Sequence, residues 1–134
     1  MSRTRNTKLA GQVIIPSGIT PYPQQYEITA ANILSRHFVT DVHFLSHTLH
    51  KTADFMIDGL LWELKSPTGD GKYTIQHALQ SALKQAENIV FDARRSKMDH
   101  RKIRHELQVR LTRIHKMKRL LLITKTGKAI ELHK

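Results

Sequence analysis

The sequence predicts one α/β (α+β) domain in which helices pack against a β-sheet. Three observations lead to this prediction. The chain has 134 residues, a length that suits a single hydrophobic core. Its composition, 40% hydrophobic and 25% charged, is typical of a globular protein. Finally, stretches with helical periodicity alternate with short apolar runs that are bounded by Gly, Pro or Asp and are typical of strands.

The chain divides into a short N-terminal arm and one main domain. Residues 1–24 form a basic, proline-containing arm with one short apolar run at 12–15 that predicts a strand. Residues 25–134 predict the single main domain. No apolar run approaches the roughly 20 residues that a membrane-spanning helix needs, so we expect a soluble chain. Cysteine is absent, which excludes disulfides and thiolate metal sites.

Periodicity predicts three helices in the main domain. The first runs from about Gln25 to His37, the second from about Thr74 to Arg95, and the third from about Asp99 to Lys116. In each of them apolar residues recur at spacings of three and four, so one face of each helix is expected to pack on the sheet. The third helix is also strongly basic.

Alternating apolar residues predict the strands. One is expected at 38–45, and two closing strands are expected at 119–124 and 129–132, joined by a turn. The strongest signal is the stretch 53–66, where Asp58-Gly59 lies between two apolar runs. This stretch predicts a hairpin, because a type I′ turn needs two residues with positive φ and Asp-Gly meets that need.

The two-residue turn fixes which hairpin residues face each other. Phe55 is expected opposite Trp62, and Asp54 directly opposite Glu63. Because side chains alternate between the two faces of a strand, one face is wholly apolar and is expected to be core: Ala53, Phe55, Ile57, Leu60, Trp62 and Leu64. The opposite face carries Asp54, Glu63 and Lys65.

This polar face predicts a metal site. Two carboxylates directly across a strand pair repel each other, and burial would increase the penalty. A divalent cation between them would reverse that effect, and hard oxygen ligands suit Mg²⁺ or Mn²⁺. Lys65 would place an ammonium beside the metal, where it could act on a water or on a phosphate. The arrangement suits metal-assisted phosphodiester hydrolysis; the alternative is a solvated outer face in which Lys65 neutralises its neighbours.

The charge distribution predicts a polyanionic partner. The net charge is +11. All of this surplus falls between Arg94 and Lys134, a stretch that contains 14 basic and three acidic residues. Nucleic acid is the natural partner of such a surface. The expected substrate platform consists of Arg94, Arg95, Lys97, Arg101, Lys102, Arg104, Arg110, Arg113, Lys116, Lys118 and Arg119. Because aromatic residues are few, phosphate contacts are expected to dominate over base stacking.

The motif Asp54…Glu63-x-Lys65 followed by a helix resembles the PD-(D/E)XK nuclease superfamily. More specifically, the run TADFMIDGLLWELKSPTGDGKYTIQHALQSALKQAENIVFDARR (52–95) is similar to the C-terminal nuclease domains of contact-dependent growth-inhibition (CdiA-type) toxins. The resemblance extends over roughly 25–132. It implies a mixed central sheet flanked by helices, with a basic C-terminal helix and a closing hairpin around a PD-(D/E)XK-like core. Ala53 stands where the superfamily motif has proline.

The resemblance also implies roles for single residues. Asp54 and Glu63 would ligate the metal, with Lys65 as the base or charge stabiliser. Glu27 would be the acidic residue that many members present from the first helix, although it could equally stabilise that helix's N-terminus. Gln85 matches a polar position on the following helix, although it could equally be an ordinary boundary residue.

The sequence therefore predicts a metal-dependent endonuclease that cleaves a structured RNA. The resemblance makes tRNA the preferred substrate, a target-cell cytoplasm the place of action, and an acidic immunity protein a possible partner. Two alternatives stay open: a DNA endonuclease of the restriction or junction-resolving type, and a basic nucleic-acid-binding module without catalysis. The series His43, His47 and His50 is expected to be solvated rather than to bind zinc. A metal-independent ribonuclease would use histidines such as His77, His100, His105 and His115, so that mechanism also stays open.

Overall fold

The computed structural model describes residues 11–47 and 52–134. It contains one mixed seven-stranded sheet with a helix on one face and two on the other, so the predicted fold class is confirmed. No helix in these two ranges is long and apolar enough to cross a membrane. The strands are β1 (Val13–Ile14), β2 (Val42–Phe44), β3 (Phe55–Ile57), β4 (Leu60–Lys65), β5 (Asn88–Asp92), β6 (Arg119–Ile123) and β7 (Ala129–Leu132). The helices are α1 (Gln25–Phe38), α2 (Thr74–Ala82) and α3 (His100–Arg113).

The strands lie side by side in chain order, from β1 to β7. The pairs β1–β2, β4–β5 and β5–β6 are parallel, and a helix connects the two strands of each. The remaining pairs, β2–β3, β3–β4 and β6–β7, are antiparallel. The strand predicted in the N-terminal arm thus belongs to the same sheet as the main domain, while residues 1–10 of that arm lie outside the described residues.

Two hydrophobic cores cover the two faces of the sheet. Helix α1 packs through Ala30, Ala31 and Leu34 on the face that carries Trp62 and Leu64. Helices α2 and α3 pack on the opposite face, against residues of β5 and β6. Side chains alternate along β4, so Glu63 and Lys65 point to the α2 side while Trp62 and Leu64 are buried under α1.

The predicted hairpin is present in the predicted register. Asp58 and Gly59 both have positive φ, 50° and 77°, as a type I′ turn requires. Phe55 pairs with Trp62. One part of the prediction is wrong: Leu60 is 41% exposed rather than buried. The reason is that β4 pairs with β5 only from Trp62 onward, so the start of β4 extends beyond its neighbour.

The predicted second helix, 74–95, is wrong in its second half. Helix α2 ends at Ala82, and residues 88–92 form the central strand β5, in which every residue is buried. A strand with a strand on each side and a core on each face shows no alternation of apolar and polar residues. Its apolar residues also continue the helical spacing of α2, so the periodicity predicts a helix where the strand lies.

The predicted strand 38–45 is shorter than expected. Phe38 is the last residue of α1, and Val39 ends the helix in the left-handed conformation, with φ 52°. Such a conformation is rare for a β-branched residue, so the sequence did not indicate a helix end here. Only Val42–Phe44 form a strand, and Val42 and Phe44 are buried as predicted.

Arg94, which the sequence predicts in the substrate platform, forms contacts within the domain. Asp92, at the end of β5, is fully buried. The Arg94 guanidinium donates to both Asp92 carboxylate oxygens, with the Nη2–Oδ2 distance at 2.6 Å, and also to the Tyr26 carbonyl oxygen at 2.9 Å. A buried carboxylate needs such a partner, and these bonds tie the end of β5 to the start of α1.

We expect Arg94→Ala to lower the free energy of unfolding by about 3–5 kcal/mol, because it leaves the Asp92 carboxylate buried and unpaired. Urea unfolding measures this loss. Arg101→Ala removes an exposed arginine and is expected to change stability by less than about 0.5 kcal/mol. Adding Asp92→Asn to Arg94→Ala should recover part of the loss. Equal small effects in both single variants would contradict the internal role.

Candidate active site

The hairpin brings the two predicted carboxylates together. Asp54 lies just before β3 and Glu63 lies in β4, and each is close enough to interact directly with the other. Asp54 Oδ2 also accepts a hydrogen bond of 2.8 Å from the backbone N–H of Leu64. This bond fixes the Asp54 carboxylate against the strand that carries Glu63.

Glu63 is a buried acid with an incompletely satisfied carboxylate. Glu63 is only 6% exposed to solvent. Oε2 lies 3.6 Å from Lys65 Nζ, so the predicted lysine is beside the two acids. Oε1 is buried and has no hydrogen-bond partner among the described residues. Such an atom is costly unless another group satisfies it.

The protonation of Glu63 follows from this environment. Burial is the largest influence and the Asp54 carboxylate the next, and together they raise the pKa of Glu63 from 4.5 to about 8. Lys65 opposes this shift but does not cancel it. Without a cation, the protonated form of Glu63 is therefore favoured up to a much higher pH than in an ordinary glutamate.

His47 belongs to the site and was not predicted. Its Nε2 lies 3.3 Å from Asp54 Oδ1, and its side chain is 45% exposed. No sequence pattern indicates this contact, because it joins the segment after β2 to the segment before β3. Of the other two histidines in this series, His43 is exposed on β2, as predicted. His50 lies outside the described residues.

Glu27 lies near the site and also supports its helix. Its Oε1 accepts a hydrogen bond of 2.7 Å from the Gln24 backbone N–H, which stabilises the start of α1. Glu27 also lines a cavity of about 410 Å³ together with Asp54 and His47. The two roles that the sequence left open are therefore compatible.

Gln85 is not on a helix, because α2 ends three residues earlier. It lies in the turn that leads into β5. Its Oε1 is buried and, within the described residues, has no hydrogen-bond partner. The Oε1 atoms of Gln85 and Glu63 are the two side-chain atoms in this state in the described part of the chain. A role for Gln85 in the site stays a prediction.

The donor set fits a hard divalent cation held by two carboxylates. Asp54 and Glu63 supply oxygen atoms, and the unpartnered Oε1 of Glu63 is the feature that a cation would satisfy. Mg²⁺ commonly binds through one or two carboxylates and keeps several waters. In residues 11–47 and 52–134, no three His, Asp or Glu side chains form a complete ligand group, so Glu27 is not part of a preformed three-residue site.

Arg95 borders the active site. Its guanidinium stacks on the Tyr26 ring at 3.6 Å and donates to the Ser66 side-chain and backbone oxygens at 3.1 and 2.9 Å. Ser66 directly follows Lys65. Arg95 thereby connects the ends of β4 and β5 with α1, and the residue remains exposed.

The other predicted basic residues fall into two groups. Arg110 and Arg119 are engaged in ion pairs, with Glu106 and Glu131 respectively. The remaining cations are exposed and are called the basic surface below: Lys97, Arg101, Lys102, Arg104, Arg113, Lys116 and Lys118. Lys102 lines a cavity of about 260 Å³ with Lys72 of the glycine loop that follows β4. The basic surface therefore extends toward the loop that follows the active-site strand.

A comparison with solved structures finds a chain with a similar fold. It is similar to a chain described as the CdiA-CT/CdiI toxin and immunity complex from Burkholderia pseudomallei, with a TM-score of 0.63 and 19% sequence identity. The similarity covers 92% of this chain and 99% of that chain. No curated protein matches the sequence.

A family model identifies the chain more closely. The model of the contact-dependent growth inhibition CdiA C-terminal domain matches residues 51–129, which is more than half of the chain. The chain therefore belongs to this family, and the matched range includes Asp54, Glu63 and Lys65. The predicted resemblance to these C-terminal domains is confirmed, whereas membership of the PD-(D/E)XK superfamily and cleavage of tRNA stay predictions.

In metal-free buffer, we expect Glu63→Gln to be more stable than the wild type at alkaline pH. Between the unfolded pKa of 4.5 and the folded pKa of about 8, the folded wild type binds a proton that the unfolded chain releases. Wild-type stability therefore falls as pH rises through this window, whereas the neutral glutamine has no such loss. The advantage of Glu63→Gln should grow by roughly 4 kcal/mol from about pH 5 to about pH 9.

Urea unfolding at several pH values tests this expectation. Glu87→Gln is the matched control, since Glu87 is exposed and its replacement should leave the pH dependence of the wild type unchanged. Parallel curves for Glu63→Gln and the wild type would show that the environment does not raise the pKa of Glu63.

Proposed function

We propose that this domain is a metal-dependent nuclease that hydrolyses phosphodiester bonds in structured RNA, with tRNA as the preferred substrate, and that it acts as a growth-inhibition toxin. The observation that carries the proposal is the group of Asp54, Glu63 and Lys65, in which a buried carboxylate oxygen has no partner among the described residues. Two adjacent acids and a lysine suit phosphoryl chemistry better than they suit a structural role.

Asp54 and Glu63 would hold Mg²⁺ or Mn²⁺. The bound metal would supply Lewis acidity to a phosphate oxygen and lower the pKa of a water. Lys65 would orient that water, or would stabilise the charge that develops on the phosphate. In the reaction the water oxygen bonds to phosphorus and the ester oxygen leaves. The water loses a proton to a base at the site, and the leaving oxygen takes one up.

The basic surface supports a nucleic-acid substrate. Its cations are exposed on and around α3. Within the described part of the chain, the side chains of Arg101, Lys102 and Arg104 form no ion pair. Cations without acidic partners are available for phosphates, and such contacts supply most of the sequence-independent affinity for nucleic acid. The preference for folded RNA rests on the resemblance to tRNA-cleaving members of the family.

We expect the purified chain to cleave total tRNA in Mg²⁺ or Mn²⁺ and to lose this activity in EDTA. Glu63→Gln and Lys65→Ala should each reduce cleavage by at least about 100-fold, because each removes a group that acts in the transition state. A denaturing gel measures the products. Glu87→Gln removes an exposed carboxylate and should cleave like the wild type.

The same assay separates the alternatives. Cleavage of plasmid but not of tRNA would indicate a DNA endonuclease. Cleavage that persists in EDTA and is lost in His47→Ala would indicate a metal-independent mechanism that uses the His47–Asp54 pair. Binding of tRNA without cleavage of any nucleic acid would leave a non-catalytic binding module.

Loss of charge on α3 should weaken binding. In the Glu63→Gln background, Arg101→Gln/Lys102→Gln is expected to reduce tRNA affinity and to lower the slope of log K against log salt by about 2, one for each lost phosphate contact. The control Arg36→Gln/Lys84→Gln also removes one exposed arginine and one exposed lysine, outside the basic surface. Equal effects from both pairs would show that only net charge matters. Filter binding at several salt concentrations gives both values.

A partner protein follows from the same surface. The structural relative from Burkholderia pseudomallei is described as a toxin and immunity complex. An immunity protein for this domain would be acidic, because complementary charge speeds association and excludes wrong partners.

A further inference from the structure

The cavity that contains Asp54 has a lining that the hydrolytic site does not need. Its volume is about 410 Å³, within the approximate 300–1,000 Å³ range of small-molecule sites. Its lining includes the apolar residues Ile19, Pro21 and Phe44 and the polar residues Glu27, His47 and Asp54. The apolar part of the lining comes from the proline-containing loop before α1 and from β2.

Tyr22 lies at this cavity and is 65% exposed. Its ring makes no stacking contact with another aromatic ring among the described residues. Tyr22 shares this cavity with apolar side chains and with the Asp54 carboxylate. The ring of such an exposed tyrosine is a surface on which another flat ring can stack. The sequence indicated only a minor part for base stacking because aromatic residues are few. It did not show that the loop before α1, which carries Tyr22, lines the same cavity as Asp54.

The charge of the cavity decides which part of a nucleotide it suits. Two carboxylates, Glu27 and Asp54, line it, so a phosphate group would be repelled. A nucleobase is neutral, has two flat apolar faces, and carries N–H groups at its edge that a carboxylate can accept. The phosphates of the same strand would remain outside, near Arg95 and the basic surface.

We propose that this cavity is a nucleobase subsite that takes one unpaired base from the strand being cleaved, with Tyr22 as its stacking platform and Glu27 as a hydrogen-bond acceptor. This inference rests on the proposed function, since Asp54 is shared between the cavity and the hydrolytic site. It adds that the nucleotide beside the scissile phosphate is unstacked from its neighbours, so cleavage occurs in loops or single-stranded ends rather than within a duplex.

Mononucleotide binding tests the subsite without any hydrolysis. The isotope-labelled full chain, in EDTA, is titrated with the 5′-monophosphates of adenosine, guanosine, cytidine and uridine and followed by two-dimensional NMR. At least one of them is expected to shift the amide signals of residues 19–24 and 44–45. Ribose 5-phosphate has the same sugar and phosphate but no base, and is expected to leave these signals in place.

Variants assign the binding to the Tyr22 ring. Tyr22→Ala should weaken mononucleotide binding about 10-fold, in line with about 1–3 kcal/mol for base stacking on an aromatic side chain. Tyr22→Phe keeps the ring and should bind like the wild type. Tyr73→Ala removes another exposed tyrosine, 52% exposed and outside this cavity, and should also bind like the wild type.

Two results would overturn the subsite. One is an equal response to ribose 5-phosphate, which would mean that only the phosphate is bound. The other is binding by Tyr22→Ala that matches the wild type. The proposed function is judged separately by the gel assay: base-dependent binding with no cleavage of RNA or DNA would retain the subsite and reject hydrolysis. Cleavage without base-dependent binding would do the reverse.

Discussion

The rest of the site depends on the repulsion between two carboxylates that the hairpin holds together. Asp54 cannot move away easily, because the Leu64 N–H donates a hydrogen bond to its carboxylate and His47 Nε2 lies 3.3 Å from its other oxygen. Glu63 cannot turn to the other face, because a shift of one residue would also remove Trp62 from the core. Hydrophobic packing on one face of β4 therefore maintains an unfavourable electrostatic arrangement on the other. Such an arrangement persists where a proton or a cation can relieve it.

The sequence predicted the hairpin and its register because their causes are local. A two-residue turn needs two positive φ angles, and Asp58-Gly59 provides them in sequence. The strand β5 could not be recognised in this way, because its burial depends on β4 and β6 on its two sides and on helices above and below. Apolar spacing alone does not distinguish a fully buried strand from a helix face. The predicted fold class is confirmed, although the sequence predicts a helix where the central strand β5 lies.

The parts of the site that could not be predicted come from distant segments. Asp54, Glu63 and Lys65 lie within one hairpin, so strand geometry was sufficient to place them together. His47 and Tyr22 reach the same region only because β2 pairs with β3 and the loop before α1 lies beside β2. Arg94 shows a different limit of the sequence. It was counted among the cations of the predicted substrate platform, but it is bound to the buried Asp92 two residues away. Counting charges predicts a polyanionic partner without showing which cations are available.

Binding and chemistry would make opposite electrostatic demands on this domain. The basic surface attracts a polyanion over a distance on the order of the Debye length, about 8–10 Å at physiological salt. The scissile phosphate, once bound, would meet the Asp54 carboxylate, which repels it, and Glu63, whose ionised form would repel it as well, until a divalent cation neutralises both. Removing the metal should therefore stop cleavage without preventing association. An acidic immunity protein faces the same two fields, so it would be drawn to the basic surface and repelled by the carboxylates. On this argument it would inhibit the domain by covering the surface that the substrate uses, rather than by filling the acidic site itself.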